Sequence, residues 1–183
     1  MLISFITAAI VILADQLTKY LAVSALAPDK SVEVIKGIFR FTYVENRGAA
    51  FGSFSDSRWV FLILSTVLIL ALIGYVIWKR PGGWLEGLSI GMLIGGGIGN
   101  MIDRIALGYV VDFLDFCAFP NLWMWVFNVA DAFVCIGTGL LVIWMFVSDA
   151  KDKKSKETLP ESPSANDSSA EDAKGGNDND EAE

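Results

Sequence analysis

Four long apolar segments lie within the first 150 residues and predict membrane-spanning helices. The clearest is residues 59–78, WVFLILSTVLILALIGYVIW, which contains no charged side chain. A helix of about 20 apolar residues crosses a hydrocarbon core of roughly 30 Å. Residues 2–24, 84–107 and 125–147 are also apolar but carry a few polar or charged side chains. Because a helix satisfies its own backbone hydrogen bonds in lipid, the pattern predicts an all-α integral membrane bundle of four transmembrane helices.

The first segment is expected to remain in the protein as a helix, although ALA at residues 25–27 resembles a signal-peptide cleavage site. Residues 1–14 contain no Lys or Arg, and Asp15 and Lys19 interrupt the apolar run. A signal peptide needs a basic start and an uninterrupted apolar stretch.

The composition changes abruptly near residue 150. Residues 151–183 hold five Lys and ten Asp or Glu, with Ser, Pro, Gly and Asn between them and no aromatic residue. Such a segment buries too little apolar surface to offset the entropy lost on ordering. We therefore predict a membrane domain over residues 1–150 and a disordered, acidic cytoplasmic tail over residues 151–183.

Basic residues near the ends of the spans predict the topology, because Lys and Arg concentrate on the cytoplasmic side. Lys79 and Arg80 separate the second and third spans, and Lys151, Lys153, Lys154 and Lys156 follow the fourth. Both termini are therefore expected in the cytoplasm. The connection between the first two spans weakens this prediction, and we expect its four bases to belong to a folded loop: Lys30, Lys36, Arg40 and Arg47.

The chain contains no histidine. This excludes Ser-His-Asp and Cys-His catalytic groups and every zinc site that needs histidine. A hydrolase with this composition can still activate water with two adjacent carboxyl groups that share a proton. That chemistry needs no metal or other cofactor.

Five acids are expected to lie at or near the outer ends of the spans: Asp15, Asp103, Asp112, Asp115 and Asp131. A carboxylate beside hydrocarbon is costly and is by default a candidate functional residue. Structural interpretations remain open for each of them. Asp15 and Lys19 are spaced to neutralise each other on one helix, Asp103 precedes Arg104 and is placed for an ion pair, and Asp115 fits an ordinary interfacial acid. Asn128 and Asp131 are spaced to cap the fourth helix.

Glycines recur every fourth residue along the third span, at positions 87, 91, 95 and 99. Small residues at this spacing let a second helix approach closely. We interpret the stripe as a packing face, because GGGIGN lacks the lysine of a phosphate-binding loop and lies within a span.

Five short motifs together resemble the bacterial lipoprotein signal peptidases, also called signal peptidase II. They are DQLTK at 15–19, NRGAAFG at 46–52, GGGIGNMIDRI at 95–105, GYVVDFLDF at 108–116 and FNVADAFVCIG at 127–137. The resemblance implies an aspartyl endopeptidase of the bacterial inner membrane, with its active site near the outer face. It implies cleavage of diacylglyceryl-modified prolipoproteins just before the lipid-modified cysteine, without a metal.

Carried over by position, the resemblance assigns the catalytic dyad to Asp112 and Asp131. It assigns substrate-binding or supporting roles to Asp15, Asn46, Arg47, Asn100, Arg104 and Asn128. It also implies a small extracytoplasmic β-structure after the first helix, and residues 31–46 fit this with β-branched and aromatic side chains. Its partners would be prolipoproteins and membrane lipids but not nucleic acid, and the protein is expected to be a monomer. We further expect Gly95 and Gly99, with Trp123 and Trp125, to leave a lateral entry for lipid.

Two other classes of function stay open on the sequence. A small transporter would place acids near the membrane midplane and would show internal repeats, but we find no repeat. An assembly factor would need the carboxylates only for structure. A Gly-x-Gly-Asp intramembrane protease is disfavoured, because no Gly-Leu-Gly-Asp-like stretch occurs.

Overall fold

The computed structural model describes residues 1–28, 30–48, 58–118 and 125–157. Its helices are α1 (Leu2–Leu26), α2 (Arg58–Lys79), α3 (Trp84–Ala106) and α4 (Val129–Glu157). Its strands are β1 (Ser31–Ile35), β2 (Phe39–Asn46), β3 (Val110–Phe116) and β4 (Val126–Phe127). The chain divides into two compact units, Met1–Val147 and Ser148–Glu183.

Within the described residues, four helices are long and apolar enough to cross a membrane. These spans are Leu2–Leu26, Trp59–Lys79, Trp84–Ala106 and Val129–Ala150. Large apolar side chains such as Ile63 and Leu64 on α2 are each 64% exposed. So much contiguous apolar surface is rare on a soluble monomer and is typical of a lipid-facing helix. The prediction of four membrane helices is confirmed.

The fourth helix begins and ends later than the sequence pattern predicts. Residues 126–127 form β4 and the helix begins at Val129, because the Asn128 side chain accepts a hydrogen bond at the helix start. At the other end α4 continues to Glu157, seven residues beyond the predicted start of the tail, and disorder of the tail stays a prediction. Lys and Glu are good helix formers and extend a helix that is already nucleated. The predicted disordered tail over residues 158–183 lies outside the described residues.

Helix α3 packs closely on α1 along the predicted glycine stripe. A Cβ atom at Gly91 would lie 2.6 Å from the Ser4 carbonyl oxygen, and one at Gly95 would lie 2.7 Å from that of Ala8. The glycines therefore let the two backbones approach, as predicted. The expected lateral lipid entry at Gly95 and Gly99 is wrong, because α1 occupies that face. Trp123 lies outside the described residues.

The predicted β-structure after α1 is the hairpin of β1 and β2, and β3 and β4 extend it into an antiparallel sheet ordered β1-β2-β3-β4. Strand β2 pairs with β3 in a register that sets Val44 opposite Asp112. Ala22 and Leu26 at the end of α1 form a buried cluster with Val111 and Phe113 of β3. This packing fixes β3 against the end of the helix bundle.

Candidate active site

Asp112 lies in the middle of β3 and is 1% exposed. The Asn46 side chain at the end of β2 donates a hydrogen bond of 2.8 Å to Asp112 Oδ2, and Asn128 Nδ2 donates one of 2.7 Å to Asp112 Oδ1. Burial, and then the negative charge of Asp131, raise the pKa of Asp112 to about 7. The two asparagine hydrogen bonds and the charge of Lys19 oppose this increase in the pKa of Asp112 because they favour the ionised form.

Asp131 lies in the first turn of α4, where it exchanges hydrogen bonds with Asn128. The Asp131 backbone N–H donates to Asn128 Oδ1 at 3.0 Å, and the Asn128 backbone N–H donates to Asp131 Oδ2 at 3.3 Å. This reciprocal pattern is a capping box, with Asn and Asp as its two side chains. The predicted cap is confirmed, and it fixes the position of the Asp131 carboxylate relative to the start of the helix.

Asn128 joins the two carboxylates to each other. Its side chain donates to Asp112 while its backbone donates to Asp131. Asn100 on α3 completes the connection: its Oδ1 accepts from Asn128 Nδ2 at 3.0 Å, and its Nδ2 donates to Asp131 Oδ1 at 2.7 Å. Two acids that are 19 positions apart in the sequence are thus held in one hydrogen-bonded group.

Behind this group lie three buried charges on α1 and α3. Lys19 Nζ lies 2.9 Å from Asp15 Oδ2 and 2.9 Å from Asp103 Oδ2. Gln16 Nε2 donates to both carboxylates, at 3.2 Å and 3.0 Å, and to the Gly99 carbonyl at 3.2 Å. Buried charges are tolerated when they are paired and hydrogen-bonded in this way. We refer to Asp15, Lys19 and Asp103 as the support cluster.

The two arginines among the predicted site residues, Arg104 and Arg47, lie in different surroundings. Arg104 is half-buried, donates to the Asn100 carbonyl at 3.4 Å and interacts electrostatically with Asp131 and Asp112. Arg47 is exposed, pairs with Glu45 at 2.7 Å and lies over the Tyr109 ring. Arg104 therefore borders the two acids, whereas Arg47 contacts groups at the edge of the sheet.

Known proteins are similar to this chain over most of its length. A family model described as "Signal peptidase (SPase) II" matches residues 7–147. The chain belongs to the signal peptidase II family. A lipoprotein signal peptidase of Halothermothrix orenii is 44% identical over 142 residues, which cover 78% of this chain and 94% of the relative. One of Bacillus subtilis is 36% identical over 150 residues, covering 82% and 97%.

Two solved structures resemble this chain in fold. A bacterial membrane enzyme matches with a TM-score of 0.72 at 30% identity, over 87% of this chain and 93% of its own. A second bacterial membrane enzyme matches with a TM-score of 0.70 at 33% identity, over 78% and 91%. With four apolar helices, this chain is a multi-pass membrane protein.

Sequence analysis named Asp103 as a candidate acid without giving it a role from the resemblance, treated Lys19 only as the partner of Asp15, and did not single out Gln16. The expected ion pair of Asp103 with Arg104 is wrong, because neighbouring residues on a helix point about 100° apart, and Asp103 faces Lys19. The i, i+4 pairing of Asp15 with Lys19 is confirmed, but Lys19 also binds Asp103 and Asn100. No local sequence pattern indicated the contact of Lys19 with Asp103, because the two residues are 84 positions apart.

The remaining predicted acid, Asp115, has structural partners. Asp115 pairs with Arg40 at 2.5 Å and accepts a hydrogen bond from Thr42 at 3.2 Å, both from β2. It lies three residues after Asp112 on β3 but contacts a different part of the hairpin.

Residues 49–52 of the NRGAAFG motif lie outside the described residues.

Proposed function

We propose that this member of the signal peptidase II family removes signal peptides from prolipoproteins as an aspartyl endopeptidase. Asp112 and Asp131 form its dyad, and the cut falls just before the lipid-modified cysteine of a diacylglyceryl-modified substrate. The observation that carries the assignment is the Asn128 residue hydrogen-bonded to both carboxylates. Asn46, Asn100 and Arg104 lie beside the dyad and support it or the peptide.

The two acids are placed differently, and this difference suggests their roles. Both acids accept hydrogen bonds on both oxygens, but among the described residues only Asp131 accepts one of them from a backbone N–H, at the start of α4. Asp112 is buried and has a pKa of about 7. We assign Asp112 as the acid that holds the shared proton and Asp131 as the base.

In this mechanism Asp131 accepts a proton from a water molecule as the water oxygen bonds to the scissile carbonyl carbon. Asp112 gives its proton to the carbonyl oxygen. When the tetrahedral intermediate collapses, the carbon–nitrogen bond breaks, the leaving nitrogen takes the proton from Asp131, and Asp112 regains its own. No covalent enzyme intermediate forms, and no metal is required.

The pH dependence follows from the role of Asp112. A raised pKa means that the carboxyl is protonated below about pH 7 and loses its proton above it. We expect kcat to fall as the pH rises through about 7, because the required acid is lost. Since the Asn46 hydrogen bond lowers the pKa of Asp112, Asn46→Ala should move this descending limb to higher pH. Initial rates from pH 4 to 9 measure it, and a limb that stays at the same pH in the variant contradicts the assignment of Asp112 as the acid.

We propose that both termini are cytoplasmic and that the dyad lies near the outer face. The N-terminal amine lies 3.4 Å from the Pro81 carbonyl oxygen, beside Lys79 and Arg80. The site residues of α1 and α3 occur toward the opposite ends of those helices. Two of the four bases in the first connection, Arg40 and Arg47, are paired with acids. Arg40 belongs to strand β2, which supports the expectation that these bases lie in a folded loop.

The proposed substrate class is tested with one peptide in two forms. The purified chain in detergent receives a prolipoprotein signal peptide with and without a diacylglyceryl group on its cysteine. We expect the modified form to be cut far faster, with gains in both kcat and kcat/KM, because remote binding energy positions the scissile bond. Mass spectrometry should locate the cut just before the cysteine. Equal kcat/KM values would contradict recognition of the lipid, and a cut elsewhere would contradict the proposed site.

A further inference from the structure

The support cluster contains more charge than helix packing requires. Asp15 is 0% exposed, Lys19 is 3% exposed and Asp103 is 4% exposed. The three formal charges sum to −1, so the lysine does not cancel both acids. Apolar residues of similar volume often serve stability as well as a buried ion pair does. The further contacts of these side chains therefore indicate what the cluster does.

Each carboxylate of the cluster also binds one backbone N–H group outside its own helix. Asp15 Oδ1 accepts from the Ala130 N–H at 2.9 Å, and Asp103 Oδ2 accepts from the Val111 N–H at 3.1 Å. Ala130 directly precedes Asp131, and Val111 directly precedes Asp112. The two contacts thus hold the backbone one residue before each member of the dyad.

Lys19 makes a third connection, to Asn100. Its ammonium donates to Asn100 Oδ1 at 2.9 Å. With Oδ1 accepting from a cation, the amide nitrogen of Asn100 points to Asp131 Oδ1, which lies 2.7 Å away. The lysine therefore orients the asparagine that hydrogen-bonds the proposed base.

We infer that Asp15, Lys19 and Asp103 position the dyad: Lys19 holds the two carboxylates, and these fix the segments of β3 and α4 that carry Asp112 and Asp131. This inference rests on the proposed aspartyl mechanism. For Asp15 this is the supporting role of the two that the resemblance implied, and none of the three residues is proposed to contact the substrate or the reacting water. Their effect is on the separation of the two acids.

Substitutions at Asp103 separate positioning from charge balance. Asp103→Asn and Asp103→Ala remove the same charge, but only asparagine keeps an oxygen that accepts from the Val111 N–H. The new amide nitrogen would replace the Asp103 oxygen that accepts from Gln16 Nε2, so that contact is lost in the variant. We expect Asp103→Ala to lose about 10²-fold in kcat, the scale of a 1 Å misplacement, with KM little changed. Asp103→Asn should retain much of the activity. Equal losses would overturn positioning through this hydrogen bond.

Lys19→Met tests the centre of the cluster, and Glu86→Gln is its matched control. Glu86 is a buried acid at the other end of α3, 6% exposed, which accepts a 2.7 Å hydrogen bond from Tyr75. Both variants remove a buried charge, so both are expected to lower the unfolding temperature. Only Lys19→Met should lower kcat on the lipid-modified peptide. Wild-type kcat in Lys19→Met, or an equal loss in Glu86→Gln, would overturn the inference.

Three outcomes of these experiments can be told apart. If Lys19→Met does not fold, the comparison of Asn and Ala at position 103 still decides the inference. If the wild-type chain does not cut the lipid-modified peptide, the proposed function itself fails. If the wild type cuts the peptide and the variants of the support cluster keep its kcat, only the positioning role is contradicted.

Discussion

Replacing Asp112 or Asp131 with asparagine is expected to lower kcat by about 10²–10⁴-fold, the usual contribution of a positioned acid or base. Asparagine has nearly the shape of aspartate but neither gives nor accepts the catalytic proton. Both side chains are fixed by hydrogen bonds to Asn128, so the substituted groups should stay near their positions. The measurement is single-turnover cleavage of a diacylglyceryl-modified peptide by each purified variant in detergent.

Asp115→Asn is the matched control for the dyad substitutions. It removes a carboxylate from the same strand as Asp112, where Asp115 is 8% exposed and pairs with Arg40 and Thr42. We expect it to lower thermal stability slightly and to keep kcat near that of the wild type. Thermal unfolding of every variant checks that the protein is folded. Near-normal turnover by folded Asp112→Asn or Asp131→Asn would overturn the dyad assignment.

Gly99→Ala is expected to damage the active site through a single methyl group on α3. A Cβ atom at Gly99 would lie 2.5 Å from Asp15 Oδ2 and 3.0 Å from Asp15 Cγ. Because α1 and α3 already pack closely, the Asp15 carboxylate must move away from Lys19 and the Ala130 N–H. Overpacking of this kind costs about 1–3 kcal/mol of stability. We also expect a loss of about 10²-fold in kcat, because Ala130 adjoins the proposed base.

Gly74→Ala on α2 is the control for this substitution. A Cβ atom at Gly74 would meet nothing within 4 Å, and alanine favours a helix interior more than glycine does. We expect unchanged kcat and equal or higher thermal stability. Wild-type kcat in Gly99→Ala would show that the Asp15 carboxylate can shift without consequence for the dyad.

The membrane spans and the glycine stripe were predictable because they depend on local patterns. Twenty uncharged residues at 59–78 are sufficient to indicate a transmembrane helix, whatever packs beside it. The stripe at Gly91 and Gly95 follows from a spacing of four residues on one helix, and its contact with α1 is confirmed. The asparagine cap of α4 was also readable, since its two residues are three positions apart.

The composition of the support cluster was not predictable, because its contacts join distant parts of the chain. Lys19 and Asp103 are 84 positions apart, and Asp15 and Ala130 are 115 apart. The sequence offered Arg104 as a nearer partner for Asp103, but helical geometry directs the two side chains to different sides. Similarly, a small β-structure was expected after α1. Its pairing with β3 was not predictable, because no local pattern contains the register of that pairing.

The sequence by itself determined where the chain crosses the membrane, that histidine-dependent catalysis is excluded, and which acids were candidates for the dyad. These properties follow from residue types and from spacings within one or two turns of a helix, so they do not depend on distant parts of the chain. The tertiary structure alone decided which acids share hydrogen-bond partners. Asp112 and Asp131 meet at Asn128, whereas Asp15 and Asp103 meet at Lys19 behind them. The physical reason is that a buried charge takes its partners from whatever the folded chain brings within about 3 Å.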